Sequence, residues 1–429
     1  MAIEITESNE PLVMVVGGGF GGTTLVHELR SAPVRVALVD KANHMVFQPL
    51  LYQVATSSLT PPDIATPLRE KFCKQKNVTV FLGEVTAIDS VKKTICVNGE
   101  EITYPYDYLI LATGVRHSYF GHDEFAPYAP GIKTLEDAEK IKDKILMAFE
   151  TCECELEPAT HPELITFVLV GGGPTGVELA GAISELARTT LASKYRRFDP
   201  ASLRVIILDG GDRLLASFPP NLSEDAKRHL EKNGVEVRLH TRVTKVDSNG
   251  VWIGDELIAS KNVFWTAGVQ PNPIVAQLGA STDKGGRIQV NADCSVPGLD
   301  DVYVIGDAAT YPDGKGGTLP GVAQVAMQQG AYVGRLIANK VEGKQPPKPF
   351  AYFNKGNLAV IGRFYSVVDA MGVRSAGFFA FLIWAVVHIQ FLPSSENRIG
   401  TFLKWLYWLI TGKRAGLTIV DSSRNIVKM

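Results

Sequence analysis

The chain is short of the features that mark a secreted, nucleic-acid-binding or membrane-spanning protein. Its five cysteines (Cys73, Cys96, Cys152, Cys154 and Cys294) make no CxxC pair and no dense framework. That excludes a disulfide-stapled fold and fits a reduced, intracellular protein. Net charge is only −2 over 429 residues, so there is no global basic footprint for nucleic acid. A spanning helix needs about 20 apolar residues, and the run 377–392 has 16, interrupted by His388 and Gln390. The opening MAIEITESNEP is acidic without an apolar core, which reads as neither a signal peptide nor a mitochondrial transit peptide. Disorder is excluded by a 45% hydrophobic content. The length suits two or three domains.

What charge there is lies unevenly. From Met371 onward seven basic side chains face two acidic ones, a tail of +5, while residues 1–370 hold 36 basic against 43 acidic, or −7. Three of the five tryptophans (Trp384, Trp405 and Trp408) share that tail, and mean hydropathy is slightly positive at +0.07. An acidic body with a basic, tryptophan-rich end is not one uniform globule.

The strongest positive signal is an internal duplication. Residues 13–16 run into Gly17-Gly18-Gly19-Phe20-Gly21-Gly22 and a helix-forming stretch, 23–29. Residues 167–170 run into Gly171-Gly172-Gly173-Pro174-Thr175-Gly176 and another, 177–187. Each copy continues to a second β-branched run closed by an acid, Asp40 or Asp209. Such runs suit parallel strands buried on both faces. The pattern is the dinucleotide fingerprint. The first glycine permits the tight turn, the second lets backbone approach a pyrophosphate, and the third lets helix pack on strand. The helix N-terminus offers free amides and a positive dipole end to phosphate. The closing acid can accept from ribose hydroxyls. Two dinucleotide sites in one chain follow.

Three further apolar strands stop at small-residue turns: 108–111 at Ala112-Thr113-Gly114, 263–265 at Thr266-Ala267-Gly268, and 302–305 at Gly306-Asp307-Ala308. Backbone can pass close to a ligand there, at the carboxyl end of a parallel sheet, and the Asp307 carboxylate suits a chain of hydroxyls. The expected fold class is α/β. Two Rossmann-like dinucleotide-binding domains are expected, the second inserted in the first, followed by a C-terminal amphipathic, membrane-associating helical region. The expected ranges are 1–115 with 286–370 for the first domain, 116–285 for the second and 371–429 for the tail.

These motifs resemble the flavoprotein superfamily with two dinucleotide-binding domains, whose first fold holds FAD and whose inserted fold holds NAD(P)H. A narrower resemblance rests on residues 44–55 (HMVFQPLLYQVA), 171–181 (GGGPTGVELAG), 323–330 (AQVAMQQG) and Trp384-x-x-x-His388 before an apolar basic helix. The chain is similar there to the type II NADH:quinone oxidoreductases, over nearly its whole length. The resemblance implies non-covalent FAD on Gly17, Gly19, Phe20, Gly22, Asp40, Ala112, Thr113, Gly114, Gly306 and Asp307. It implies NADH on Gly171, Gly173, Pro174, Gly176, Glu178, Asp209 and Gly268. Asp209 favours NADH over NADPH by repelling an extra phosphate, with Arg213 nearby. Glu178, in the first helical turn where the dipole favours its charge, is implied to act in substrate binding and proton transfer. Gln324 and Gln328 share a helix face, kept slim by Ala323, Ala326 and Gly330, and are implied to line a quinone pocket. A homodimer through the C-terminal region is also implied.

Cysteine placement sorts the chemistry within the superfamily. Dithiol and peroxidase-type relatives need cysteine just after the first dinucleotide unit, and no cysteine precedes Cys73. Sulfide:quinone oxidoreductases need cysteines flanking the flavin, whereas Cys152 and Cys154 sit in a charged CECELE stretch that reads as solvated and Cys294 precedes a turn. Electrons therefore pass from nicotinamide to flavin to a non-thiol acceptor.

The tail supplies the last expectation. Ile399, Phe402, Leu403, Leu406, Leu409 and Ile410 fall on one helix face. Trp384, Trp405 and Trp408 with Lys404, Lys413 and Arg414 fit an interfacial anchor on anionic lipid. His388 reads as a satisfied histidine, and no metal site is expected. The resulting expectation is a non-proton-pumping respiratory enzyme, peripheral on the cytoplasmic face of the inner membrane. Two alternatives stay open: a soluble NAD(P)H-dependent reductase of an iron–sulfur protein, and a nucleotide-sensing flavoprotein with a partner-docking tail.

Overall fold

The computed structural model describes residues 9–99 and 102–419. Most of the acidic N-terminal segment, and Asp421, Arg424 and Lys428 of the basic tail, lie outside the described residues. In chain order the elements that matter here begin with β1 (Leu12–Val16), α1 (Phe20–Glu28), β2 (Arg35–Asp40), α2 (Leu51–Ala55), β3 (Val78–Leu82) and β4 (Tyr108–Leu111). They continue with α3 (Leu135–Cys154), β5 (Thr166–Val170), α4 (Pro174–Glu185), β6 (Arg204–Leu208), β7 (Val235–Arg238), β8 (Asn262–Trp265) and β9 (Val302–Val304). Then come α5 (Ala323–Val341), β10 (Asn357–Gly362), β11 (Tyr365–Ala370), β12 (Val373–Gly377), α6 (Phe378–Phe391) and α7 (Ser395–Thr411).

These elements fall into two compact units, one of residues 1–45, 66–116 and 269–354, the other of 46–65, 117–268 and 355–429. In the first, a parallel sheet runs in the order β9-β4-β1-β2-β3, with Val13 opposite both Val36 and Tyr108. Alternation along β1 feeds two cores. Val13 and Val15 pack with Leu25, Val26, Val333 and Ile337 of α1 and α5. Leu12, Met14 and Val16 pack with Ile88, Ile95 and Ile274 on the other face. Burial on both sides explains the unbroken apolar run. The helices α1 and α5 touch backbone to backbone, since a Cβ on Gly330 would lie 2.3 Å from Gly21 O.

The second unit repeats the device with a parallel sheet ordered β7-β6-β5-β8. Its helix α4 is covered by β10, and a Cβ on Gly181 would lie 2.0 Å from Ile361 O. The antiparallel sheet β10-β11-β12 leads directly into α6. Helix α7 then returns to residues 60–65: Asn397 Nδ2 donates to Pro62 O at 2.6 Å, and Lys404 Nζ meets Asp63 Oδ2 at 2.6 Å.

The units divide the chain differently from the expected ranges. Residues 269–285 join the first unit because Gln277 accepts from Ile88 N and donates to Thr86 O, while Ile274 and Val275 enter its core. Residues 355–370 join the second because β10 covers α4, and 46–65 join it because the partners of Gln53 and Asp63 lie in α7.

Candidate nucleotide sites and a buried carboxylate

The two glycine loops have one geometry. Gly17 sits at φ +108° and Gly171 at φ +118°, where only glycine is comfortable. A Cβ on either would strike the neighbouring turn, Ala112 O at 2.4 Å or Ala267 N at 2.8 Å. On Gly22 or Gly176 it would lie 1.9 Å from the carbonyl of Gly17 or Gly171. On Gly19 and Gly173 it would meet nothing within 4 Å, which leaves the helix N-termini, begun by Phe20 and Pro174, open to phosphate. The closing acids also brace the loops, a role that their sequence position does not reveal. Asp40 Oδ2 accepts from Gly18 N and Asp209 Oδ2 from Gly172 N. The second oxygens accept from Ala42 N and Gly211 N, both at 2.7 Å. Each carboxylate keeps lone pairs for a ribose.

In the first unit the loop opens on a cavity of about 80 Å³ lined by Gly17, Asp40, Lys41, Gly83, Thr113 and Asn272, among others. Thr113 Oγ1 is buried and, among the described residues, has no hydrogen-bond partner. Gly114 (φ +61°) and Gly306 (φ +70°) turn the ends of β4 and β9, and Asp307 follows half-buried. Gly306 N donates to Gln329 Oε1 at 2.7 Å. A glycine cradle, an acid at the strand end lining the cavity and an orphaned hydroxyl fit a bound dinucleotide. In the second unit Gly268 (φ +70°) ends the turn after β8, its absent side chain making room for the Phe120 ring.

Glu178 does not behave as a first-turn position suggests. It is the fifth residue of α4 and is buried, accepting from Val360 N at 3.3 Å. Burial pushes its carboxyl up to about 8. A helix end is worth at most about 1–2 kcal/mol to a carboxylate, so desolvation wins. It lines a cavity of about 20 Å³ together with Tyr52, Gln53, Glu185, Trp384 and Arg414, among others. Gln53 Nε2 donates to Tyr52 OH at 2.8 Å, and Gln53 Oε1 accepts from Trp405 Nε1 at 2.7 Å. Burial, and then the charge of Glu178, raise the Tyr52 phenol well above its ordinary range. Residues 44–55 carry part of the family resemblance, which is the only sequence signal for Tyr52 and Gln53.

The glutamines of α5 divide their work. Gln324 and Gln328 are both half-buried, but the Gln328 amide is held at both ends by Phe353, Nε2 to Phe353 O and Oε1 from Phe353 N, each at 2.9 Å. The buried neighbour Gln329, within the 323–330 motif but given no role there, holds Gly306.

The tail turns its tryptophans inward, against the expectation that they meet lipid. Trp384 is 1% exposed, and Trp405 and Trp408 are buried too, with the rings of Trp384 and Trp405 stacked at 4.9 Å. Lys404 is paired with Asp63, and Arg414, its side chain 1% exposed, lies 3.7 Å from Glu185. Of the six residues expected to meet lipid, Lys413 alone is exposed. Apolar side chains point outward instead: Phe379 (75% exposed), Leu382 and Val386 on α6, and Phe402, Leu406 and Ile410 on α7. The apolar stripe of α7 is thus the outward face, and the indoles serve the interior. Among the described residues no helix is long and apolar enough to cross a membrane. His388 is buried, donates from Nδ1 to Trp384 O at 2.7 Å, and is pushed down to about 4 by burial. Cys152, expected to be solvated, is buried in α3, which lifts its thiol to about 11; Cys154 is exposed.

Residues 11–330 match the family model of the pyridine nucleotide-disulphide oxidoreductases. The chain belongs to that family, whose paired dinucleotide folds are the ones described. Within it, the chain is 41% identical over 424 residues to the type II NADH:quinone oxidoreductase Ndh of Mycobacterium tuberculosis, covering 95% of this chain and 90% of that one. It is 42% identical over 408 residues to NdhA of the same organism, with 92% and 86% covered. These similarities place it among the type II NADH:quinone oxidoreductases, which are FAD enzymes. A solved structure of NDH2 from Plasmodium falciparum in complex with NADH has the same fold, with a TM-score of 0.86 at 21% identity over 96% of this chain and 100% of that one.

Proposed function

We infer that the protein oxidises NADH and reduces a quinone, with FAD as its resident cofactor. Bound FAD supplies the two-electron exchange between nicotinamide and quinone; the chain supplies binding, orientation and a proton-active carboxyl. Gly17, Gly19, Phe20 and Gly22 would hold its pyrophosphate, Asp40 its ribose, and Ala112, Thr113, Gly114, Gly306 and Asp307 the remainder. Gly171, Gly173, Pro174, Gly176 and Gly268 would hold NADH. Asp209 disfavours a 2′-phosphate, and Arg213 is turned to its own loop, donating to Ala216 O at 3.1 Å. The observation that carries the reading is Glu178. Reducing a quinone consumes protons, and a buried carboxyl held near 8 can take up and release one near neutral pH. Val360 N occupies Oε1, which leaves Oε2 to carry the proton. Gln324 and Gln328 would line the quinone site, the Gln328 amide being held in place by Phe353.

The outward apolar faces of α6 and α7 support seating on a lipid surface, the cytoplasmic leaflet in this reading, as a homodimer joined through the C-terminal region. The deciding experiment measures NADH oxidation by the purified holoenzyme with a soluble quinone analogue, against oxygen and ferredoxin as acceptors. The quinone should be the fastest acceptor; turnover no faster than with oxygen would refute the reading. Binding to anionic vesicles in a flotation assay should fall when Phe379 and Phe402 are replaced by Ser.

A further inference from the structure

Helix α4 carries a second carboxylate, Glu185, two turns beyond Glu178 and on the same face, and both line one cavity. A charge so placed is costly unless partnered. Glu185 Oε1 accepts from Trp408 Nε1 at 2.9 Å, and Oε2 lies 3.7 Å from Arg414 Nη2. The segment carrying Arg414 is stitched down for that purpose. Gly412 ends α7 in the left-handed region at φ 69°, its carbonyl accepts from Thr190 Oγ1 at 2.9 Å, and Arg414 Nη1 donates to Thr56 O at 2.7 Å. Each neighbouring element contributes to the groups around Glu178. From α2 comes the Tyr52 phenol, from α4 Glu185, from the C-terminal segment Arg414, from β10 the Val360 amide, and from α6 Phe381 and Trp384. Among the described residues lining this cavity, Arg414 is the one cation.

We propose that Arg414 is a positioning residue for Glu178: its ion pair with Glu185 neutralises the second carboxylate of the shared cavity, so that Glu178 is the group that exchanges a proton there during turnover. The proposal rests on the proton role given to Glu178 above. A nearby cation favours an ionised carboxylate and an uncompensated anion opposes it. Replacing Arg414 by Met removes the first and unmasks the second, and both push Glu178 the same way.

The test is an infrared titration of the carboxylic C=O band that Glu178→Gln removes, run on the holoenzyme alongside the pH profile of kcat. Arg414→Met should move the midpoint up, Arg414→Lys should largely keep it, and adding Glu185→Gln to Arg414→Met should bring it back. Glu185→Gln alone, which leaves Arg414 uncompensated, should move it down and serves if Arg414→Met does not fold. A midpoint that stays put in Arg414→Met and in Glu185→Gln, whatever happens to kcat or Tm, would overturn the proposal. A Glu178 band that does not titrate in the unaltered protein would instead overturn the proton role on which it rests.

Discussion

The loop after β1 and the loop after β5 are built alike to within about ten degrees of φ at their first glycine, yet the helices that leave them differ. The first turns of α1 carry Gly21, Gly22, Thr23 and Thr24, and its close neighbour is the glycine face of α5. Helix α4 carries Glu178 at the corresponding depth and is covered by β10. The same backbone device thus serves once as a plain cradle and once as a cradle with an ionisable group buried behind it. The lesson is that the shape of the loop lives in backbone conformation, while an ionisable group is added by a side chain one turn further on.

The comparison can be broken first at the third glycine. Gly22→Val should yield colourless protein that retains no flavin, whereas Gly176→Val should stay yellow and lose reduction by NADH; absorbance before and after NADH distinguishes them. Loss of flavin from both would mean that the two loops are not independent sites. The next effect belongs to Glu178. The folded protein keeps a proton there that the unfolded chain releases from about 4.5, so stability is lost as pH rises toward about 8 and the penalty is complete above it. Glu178→Gln should therefore gain on the unaltered protein by some kcal/mol between pH 5 and pH 9 in denaturant titrations, in keeping with about 1.4 kcal/mol per pKa unit. A parallel pair of stability curves would deny the raised value. The smallest effect tests the bracing acids. Asp40→Ala and Asp209→Ala each orphan two backbone amides and should cost about 1–3 kcal/mol, but only Asp209→Ala should narrow the preference for NADH over NADPH.

Features set by neighbouring residues are legible in the sequence itself. The runs that form β1 and β5, the glycine turns and the acids Asp40 and Asp209 need only a few consecutive residues to declare themselves. Features set by distant partners are not. The burial of Glu178 depends on Val360, 182 residues away, and the engagement of Gln328 depends on Phe353. The tryptophans mislead for a related reason. Composition announces an amphipathic tail, but which face turns inward is decided by Gln53 and Glu185, which take the indole N–H groups of Trp405 and Trp408. Cys152 is misjudged from its acidic neighbours, because helical periodicity turns it to the inner face of α3 while Cys154 points out.

The bonds between residues 53–63 and residues 404–414 also set an order of events during synthesis. Gln53 waits for Trp405 across 352 residues, Thr56 for Arg414 across 358, and Asp63 for Lys404 across 341. At translation rates of about 5–20 residues per second, this early segment leaves the ribosome tens of seconds before its partners exist. Residues 50–59, nearly all buried in the finished protein, must spend that interval without their C-terminal partners. A chaperone has that interval in which to bind them, and a ribosome stalled near the C-terminus would leave Gln53, Thr56 and Asp63 without these partners.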